Sequence, residues 1–377
     1  MKHTLTTKRT TMNNANNLIT RRHVLQTLAT VGIGAALAPH IAAQTSSLVK
    51  PTLHVYNNYG WLRGFNCIPS WGARIEDSWW FYDGVKMRKE MALARSVHAN
   101  AIRLWIEFSA WYRDPDKVTA SFLDAVAAID ENGMKVMPCL FNRWVGGSYD
   151  YGGTHVENIR PQAPEQMEYV RALVLPLAND PRVFCWDLCN EPNAHLPEVK
   201  QQLLTEEQRK REFAWLKGIA DTVRSCGAQQ PVTIGTMNGT HASSGNIEFY
   251  EPLMDVLCAH PYARDREGLA AVIADYKALV TKYNKPLLCN EGVPGCDVDE
   301  VRGEMHRYYM EILSAAGFGI MPWSIREGRA IATRRDRMDG NGINGKGFHP
   351  TFNADGALRA GHEWMYQKPL IKAPWEK

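Results

Sequence analysis

The chain has 377 residues, 45% hydrophobic and 22% charged, which is the balance of an ordinary globular protein with room for one large domain or two average ones. No internal repeat or low-complexity linker is visible. With a formal charge of only +3 and no basic run beyond the N-terminus, a nucleic-acid partner is not expected.

The basic charge is concentrated at the start. Residues 1–43 hold five basic and no acidic side chains, so the remainder carries −2. Within them, Thr20-Arg21-Arg22-His23-Val24-Leu25 resembles a twin-arginine export signal. The apolar stretch Val24–Ala43 that follows is too short and too weakly apolar to span a bilayer. Cleavage is expected after Ala43 or Ala38, with an uncleaved N-terminal anchor as the alternative. No Cys follows either point, which argues against lipid attachment. The resemblance implies a periplasmic or secreted protein with no stable membrane insertion after the signal is removed. Residues 44–377 are then expected to form a single domain.

From Trp61 onward, short apolar runs alternate with amphipathic segments. The runs are Leu62–Pro69, Asn100–Ile106, Met134–Asn142, Val183–Glu191, Pro231–Thr236, Met254–Tyr262, Pro286–Glu291 and Gly319–Ile325. Most are apolar throughout, as parallel strands covered on both faces require. Between them, Gly84–His98, Val118–Asn132, Pro164–Leu177, Thr205–Cys226, Arg266–Lys282 and Asp297–Ala316 place apolar residues at helical spacing. Asn132-Gly133 and Ala316-Gly317 supply helix stops. The link after the fifth strand reads as short and irregular. Eight strands with helical crossovers predict an α/β fold, a (β/α)8 TIM barrel. An open doubly wound sheet is the competing architecture, but no Gly-rich phosphate loop follows any strand.

Three loops are long: Ser70–Asp83, with Trp71, Trp79, Trp80, Phe81 and Tyr82; Arg143–Pro161, with Trp144, Tyr149 and Tyr151; and Arg326–Pro350. On a barrel they are expected to wall a rim cleft. Of the eight cysteines, Cys139, Cys185, Cys189, Cys258 and Cys289 fall in strand-like runs and read as small buried hydrophobes rather than a disulfide framework. No Cys-x-x-Cys pair suggests structural zinc.

Two strand-like runs end alike. Val183–Asn190 leads into Glu191-Pro192, and Pro286–Asn290 leads into Glu291-Gly292, 100 residues later. Three βα units of about 30 to 35 residues fill that gap, which puts the two carboxylates at the ends of the fourth and seventh strands, on the rim where barrel enzymes carry their chemistry. Two carboxylates flanking one bond are what glycoside hydrolysis requires. Asp187 faces the barrel interior by alternation and reads as structural.

Trp186-Asp187-Leu188-Cys189-Asn190-Glu191-Pro192 resembles the acid/base motif of clan A glycoside hydrolases, most nearly family 5, the cellulases and mannanases. Arg63-Gly64-Phe65-Asn66, Asn100-Ala101-Ile102-Arg103, His260-Pro261-Tyr262, Glu291 and Trp323 follow in the family's order, so the likeness covers about residues 61–325. It implies a retaining mechanism with Glu191 as acid/base and Glu291 as nucleophile. It further implies that Arg103 and Tyr262 hold Glu291, that Asn190 binds the sugar 2-hydroxyl, and that His260 and Trp323 line the sugar site. One departure stands out. The third strand of the family commonly ends in a sugar-binding His, whereas this one runs into Asn142-Arg143-Trp144, so either Asn142 or Trp144 takes that role or the sugar contact is absent, as in a divergent member.

The expected function is that of an exported β-glycosidase acting on a β-linked polysaccharide or oligosaccharide, of glucan or mannan type. The alternatives are a non-hydrolytic carbohydrate-binding protein on a degenerate barrel, or a transglycosylase. No cofactor is expected. A metal site built on His195, His241 and His349 fits no ligand motif.

Overall fold

The computed structural model describes residues 55–143, 152–154, 158–192, 194–195, 202–238, 244–330, 333–335 and 348–376, all within one compact unit, Lys50–Lys377. The expected signal at 1–43, Trp144 and His241 lie outside the described residues.

Parallel strands form the wall. They are β1 (Gly64–Cys67), β2 (Ala101–Trp105), β3 (Lys135–Cys139), β4 (Trp186–Asn190) and β5 (Val232–Gly235), hydrogen-bonded in that order. The second half is built from shorter ladders. Met237–Asn238, continuing β5, pairs with His260–Pro261, which continues β6 (Leu257–Cys258). In turn β6 pairs with β7 (Leu287–Leu288). The eighth stave is the segment around Ile320. Met321 N–H donates to Cys289 O at 2.9 Å on one side, and Gly64 N–H donates to Ile320 O at 3.0 Å on the other, which closes the ring. The fold is a (β/α)8 barrel, and each of the eight expected strand runs supplies one stave.

The long helices fall where the spacing predicts them: α2 (Gly84–Ser96), α4 (Pro115–Glu131), α5 (Pro164–Val174), α6 (Glu206–Ser225), α8 (Arg266–Tyr283) and α9 (Asp299–Ala315). Their ends have local causes. Asp83 caps α2 by accepting from Val85 and Lys86 N–H, and a Thr205/Gln208 capping box opens α6. Gly133 and Gly317, at φ +69° and +84°, stop α4 and α9 in a backbone region that other residues avoid.

Three short helices were not expected: α1 (Ile75–Trp80) lies in the expected loop Ser70–Asp83, α7 (Ser244–Tyr250) in the link read as irregular, and α3 (Phe108–Arg113) in a stretch to which the sequence assigned no element. Each is six or seven residues long, too short for a periodic signal, and α1 and α3 are held by tertiary packing. Trp79 of α1 is fully buried and donates its indole N–H to Trp105 O at 3.0 Å, so it fills core rather than walling a cleft.

Candidate active site

At the C-terminal end of β4 the chain turns sharply. Glu191 takes φ +47° and donates its backbone N–H to Gly235 O at 2.7 Å, which aims its side chain across the barrel mouth. Glu291, just beyond β7, faces it. One carboxylate oxygen of Glu191, one of Glu291 and a ring nitrogen of His260 all lie within 4.8 Å of one another. All three residues are buried.

Glu291 is held at both oxygens. Arg103 Nη1 donates to Oε2 at 2.9 Å and Tyr262 OH to Oε1 at 2.7 Å. Burial raises its pKa, and the proximity of Glu191 adds to that; Arg103 and Tyr262 act in the opposite sense by favouring the anion. His260 Nδ1 sits 2.8 Å from Glu191 Oε1 and 3.8 Å from Glu291 Oε2, and its Nε2 is 2.9 Å from Asn290 Oδ1. Burial pushes its pKa down to about 4, which leaves the imidazole neutral near pH 7.

Arg103 is the hub. Besides Glu291 it bonds Asp187 Oδ2 through Nε at 2.8 Å, Asn66 Oδ1 at 2.9 Å and Asn190 Oδ1 at 2.9 Å. Gly235 makes room for it. A Cβ there would lie 2.7 Å from Arg103 Nη2 and 2.9 Å from His260 Nε2. Asp187 faces the interior, as alternation predicts, and accepts from the backbone N–H of Cys189 and Gly235 as well.

Most of the expected site residues therefore converge. Glu191, Glu291, Arg103, Asn190, His260 and Tyr262 form one continuous network. Trp323 borders it at 2% exposure, its ring 4.8 Å from that of Trp105. Asn142 lies one step behind: its Oδ1 accepts from Asn190 Nδ2 at 3.0 Å and its Nδ2 donates to Gly152 O at 2.5 Å. It braces Asn190 from the next strand.

Four members of the network escape sequence reasoning as site residues: Asn66, Asp187, Gly235 and Asn290. Asn66 accepts from Arg103 and from Trp105 Nε1 at 2.8 Å, and donates to Asn290 O at 2.8 Å. The signal for all four is a polar or glycine residue within or just after an otherwise apolar strand.

Glu191, His260 and Glu291 are, among the described residues, the one trio spaced to hold a metal ion. Arg103 already sets a permanent cation 2.9 Å from Glu291, which opposes a second cation there. His349 lies apart from the trio, its ring 6.4 Å from that of Tyr262.

A model of the cellulase family, glycosyl hydrolase family 5, matches residues 61–328. No curated protein matches the chain in sequence. Similar solved structures include an exo-β-1,4-mannosidase from Opitutaceae bacterium strain TAV5, 14% identical at TM-score 0.59, covering 80% of this chain and 58% of that one. GH5_18 from Streptomyces cattleya in complex with GlcNAc is 15% identical at TM-score 0.61, over 80% of this chain and 78% of that one. An endo-1,4-β-D-mannanase from Thermotoga petrophila is 17% identical at TM-score 0.56, over 81% and 98%. At these identities the structural likeness is one of fold.

Proposed function

The chain belongs to glycosyl hydrolase family 5, and from that premise we propose that it cleaves β-glycosidic bonds with retention, Glu191 serving as acid/base and Glu291 as nucleophile. The observation that carries this reading is that one oxygen of each carboxylate lies within 4.8 Å of one oxygen of the other. Retaining enzymes hold their carboxyls about 5 to 5.5 Å apart, whereas inverting ones need about 6.5 to 9.5 Å to admit a water.

In the first step Glu191 gives its proton to the glycosidic oxygen while a Glu291 oxygen attacks the anomeric carbon. The C–O bond to the leaving group breaks and a glycosyl–enzyme ester forms. In the second step water attacks that carbon, Glu191 takes the water proton, and Glu291 departs as carboxylate. Arg103 and Tyr262 stabilise the charge that Glu291 regains. The chemistry this site needs is supplied by side chains.

A β-linked glucan or mannan is the proposed substrate, in keeping with the cellulase family. Export through the N-terminal twin-arginine-like segment, with residues 44–377 as one catalytic domain, completes the proposal. The intact carboxylate pair, each member anchored, disfavours a binding-only barrel. The test is reducing-end release from a panel of β-glucans, mannans, xylans and galactans, with the product anomer followed by NMR. Wild type should release sugar of retained configuration, and Glu291→Gln should lose turnover by orders of magnitude while staying folded. Wild-type-like activity in Glu291→Gln would sink the assignment.

A further inference from the structure

We propose that Asn290, locked in one orientation by Asp187, fixes His260 as the Nε2–H tautomer and so keeps a proton on Glu191 in the resting enzyme. The inference deepens the proposed function and rests on it for its catalytic consequence, though not for its structural content.

The argument starts at Asp187. Its Oδ2 accepts from Arg103 Nε at 2.8 Å, and its Oδ1 from the backbone N–H of Cys189 at 3.2 Å and of Gly235 at 3.1 Å. None of those donors is able to accept, so Asp187 presents acceptors at both oxygens. Asn290 Nδ2 donates to the same Oδ2 at 2.9 Å. Turning the Asn290 amide over would set its carbonyl oxygen against that carboxylate, a repulsive pair in a dry interior. The orientation has a second support, because the Cys258 thiol donates to Asn290 Oδ1 at 2.7 Å.

His260 Nε2 lies 2.9 Å from that Oδ1, which only accepts. Nε2 must therefore carry a hydrogen. His260 is fully buried, with the Arg103 guanidinium close by across Gly235, so the imidazolium is disfavoured and the ring has one N–H to give. With that hydrogen committed to Asn290, Nδ1 is left with a lone pair. It faces Glu191 Oε1 at 2.8 Å. Two acceptors at that distance repel, whereas a protonated Glu191 donates into the lone pair.

Among the described residues, the charged groups around the imidazole are Glu191 beyond β4, Glu291 beyond β7 with Oε2 at 3.8 Å from Nδ1, Asp187 on β4, and Arg103 on β2. Glu291 by itself favours a hydrogen on Nδ1. Arg103 neutralises Glu291 at 2.9 Å, and the Asn290 contact is nearer to the ring, so the Nε2–H form prevails.

The consequence reaches both chemical steps. At rest Glu191 is loaded with the proton that the leaving oxygen needs. Once that proton is given up, the Glu191 carboxylate confronts the Nδ1 lone pair and becomes a stronger base toward the incoming water. Asn290 touches no reacting atom and acts as a positioning residue.

The closing experiment is 15N NMR of histidine-labelled protein, with the His260 signals identified by their loss in His260→Asn. At neutral pH the wild type should show Nε2 protonated and Nδ1 bare. An Nδ1–H form or an imidazolium would overturn the proposal, and this readout holds whether or not the protein hydrolyses any glycoside. In Asn290→Ala the tautomer preference should relax, and the alkaline limb of kcat/KM should move down by about one pH unit. If Asn290→Ala only lowers Tm, with the tautomer and the limb unchanged, Asn290 is merely structural and the proposal fails. A wild type inert on every glycoside, with the Nε2–H signature present, would overturn the hydrolase reading while leaving the tautomer assignment standing.

Discussion

Arg103 and Arg302 are both fully buried, and they lead opposite lives. Arg103, on β2, faces two carboxylates and two amide oxygens, and one of those carboxylates is Glu291 at the barrel mouth. Arg302, on α9, faces backbone. Its Nη2 donates to Trp323 O at 2.7 Å and His349 O at 3.0 Å, while Nε and Nη1 reach no partner among the described residues. Nearby, Arg359 Nη1 donates to Phe348 O at 3.2 Å and Pro350 O at 2.8 Å. The two guanidiniums thus gather consecutive carbonyls of 348–350 and tie that segment behind Trp323. A buried cation opposite carboxylates sets charge in a site, and one opposite carbonyls sets the path of the chain.

That contrast breaks most visibly at Arg103. Arg103→Met strands Asp187 and Glu291 without a cation. It is expected to cost about 3 to 5 kcal/mol of stability and to remove nearly all activity, as read by urea denaturation and turnover. Arg103→Lys should rescue little, since one ammonium does not replace a planar fork with several partners. Arg302→Met should cost less, about 1 to 3 kcal/mol, because it frees carbonyls rather than carboxylates. Its turnover loss should stay within about tenfold, through a looser Trp323. Equal turnover losses in the two folded variants would erase the distinction between site and strap.

Glu107 sharpens the comparison from the acid side, because among the described residues it is bonded by neutral donors. They are the N–H groups of Asn142 and Phe108 and the Thr154 hydroxyl, each at 2.9 Å. Burial first, and Glu76 second, push its pKa up to about 8. The folded chain therefore holds a proton that the unfolded chain releases near a glutamate's ordinary value of about 4.3. The stability tied to that proton is full below the unfolded value and is lost as pH rises through about 8. Glu107→Gln should flatten that decline, so that urea midpoints of wild type fall relative to the variant between pH 5 and pH 9. Parallel midpoints would show that Glu107 is ionised throughout. The smallest effect belongs to the surface. Arg88 bonds Asp124 and Glu131 at 2.8 to 3.0 Å but is more than a third exposed, so Arg88→Ala should change stability by less than about 1 kcal/mol.

The barrel was legible because its signal repeats. Eight apolar runs recur between six long helices that carry a helical period, and the stops at Gly133 and Gly317 mark backbone that few other residues adopt. The short helices α1, α3 and α7 carry too few residues for a period to show. The site was legible where a strand end carries a charge or ring in a familiar order, as at Glu191, Glu291, Arg103, His260 and Tyr262. Asn142 was legible only as a position. That it braces Asn190 depends on β3 and β4 standing side by side.

What the sequence by itself determined is the architecture and the placing of two carboxylates at the barrel rim, because recurring apolar runs and the two Asn-Glu strand ends are local patterns. What only the tertiary structure decided is the state of those groups. Asn66 of β1, Arg103 of β2, Asp187 of β4 and Asn290 beyond β7 are far apart in the chain and meet only when the barrel closes. Protonation, tautomer and charge are set by distances of about 3 Å in a low-dielectric interior, where one donor turned the wrong way is costly. No pattern along the chain encodes such distances; they exist once eight strands share one axis.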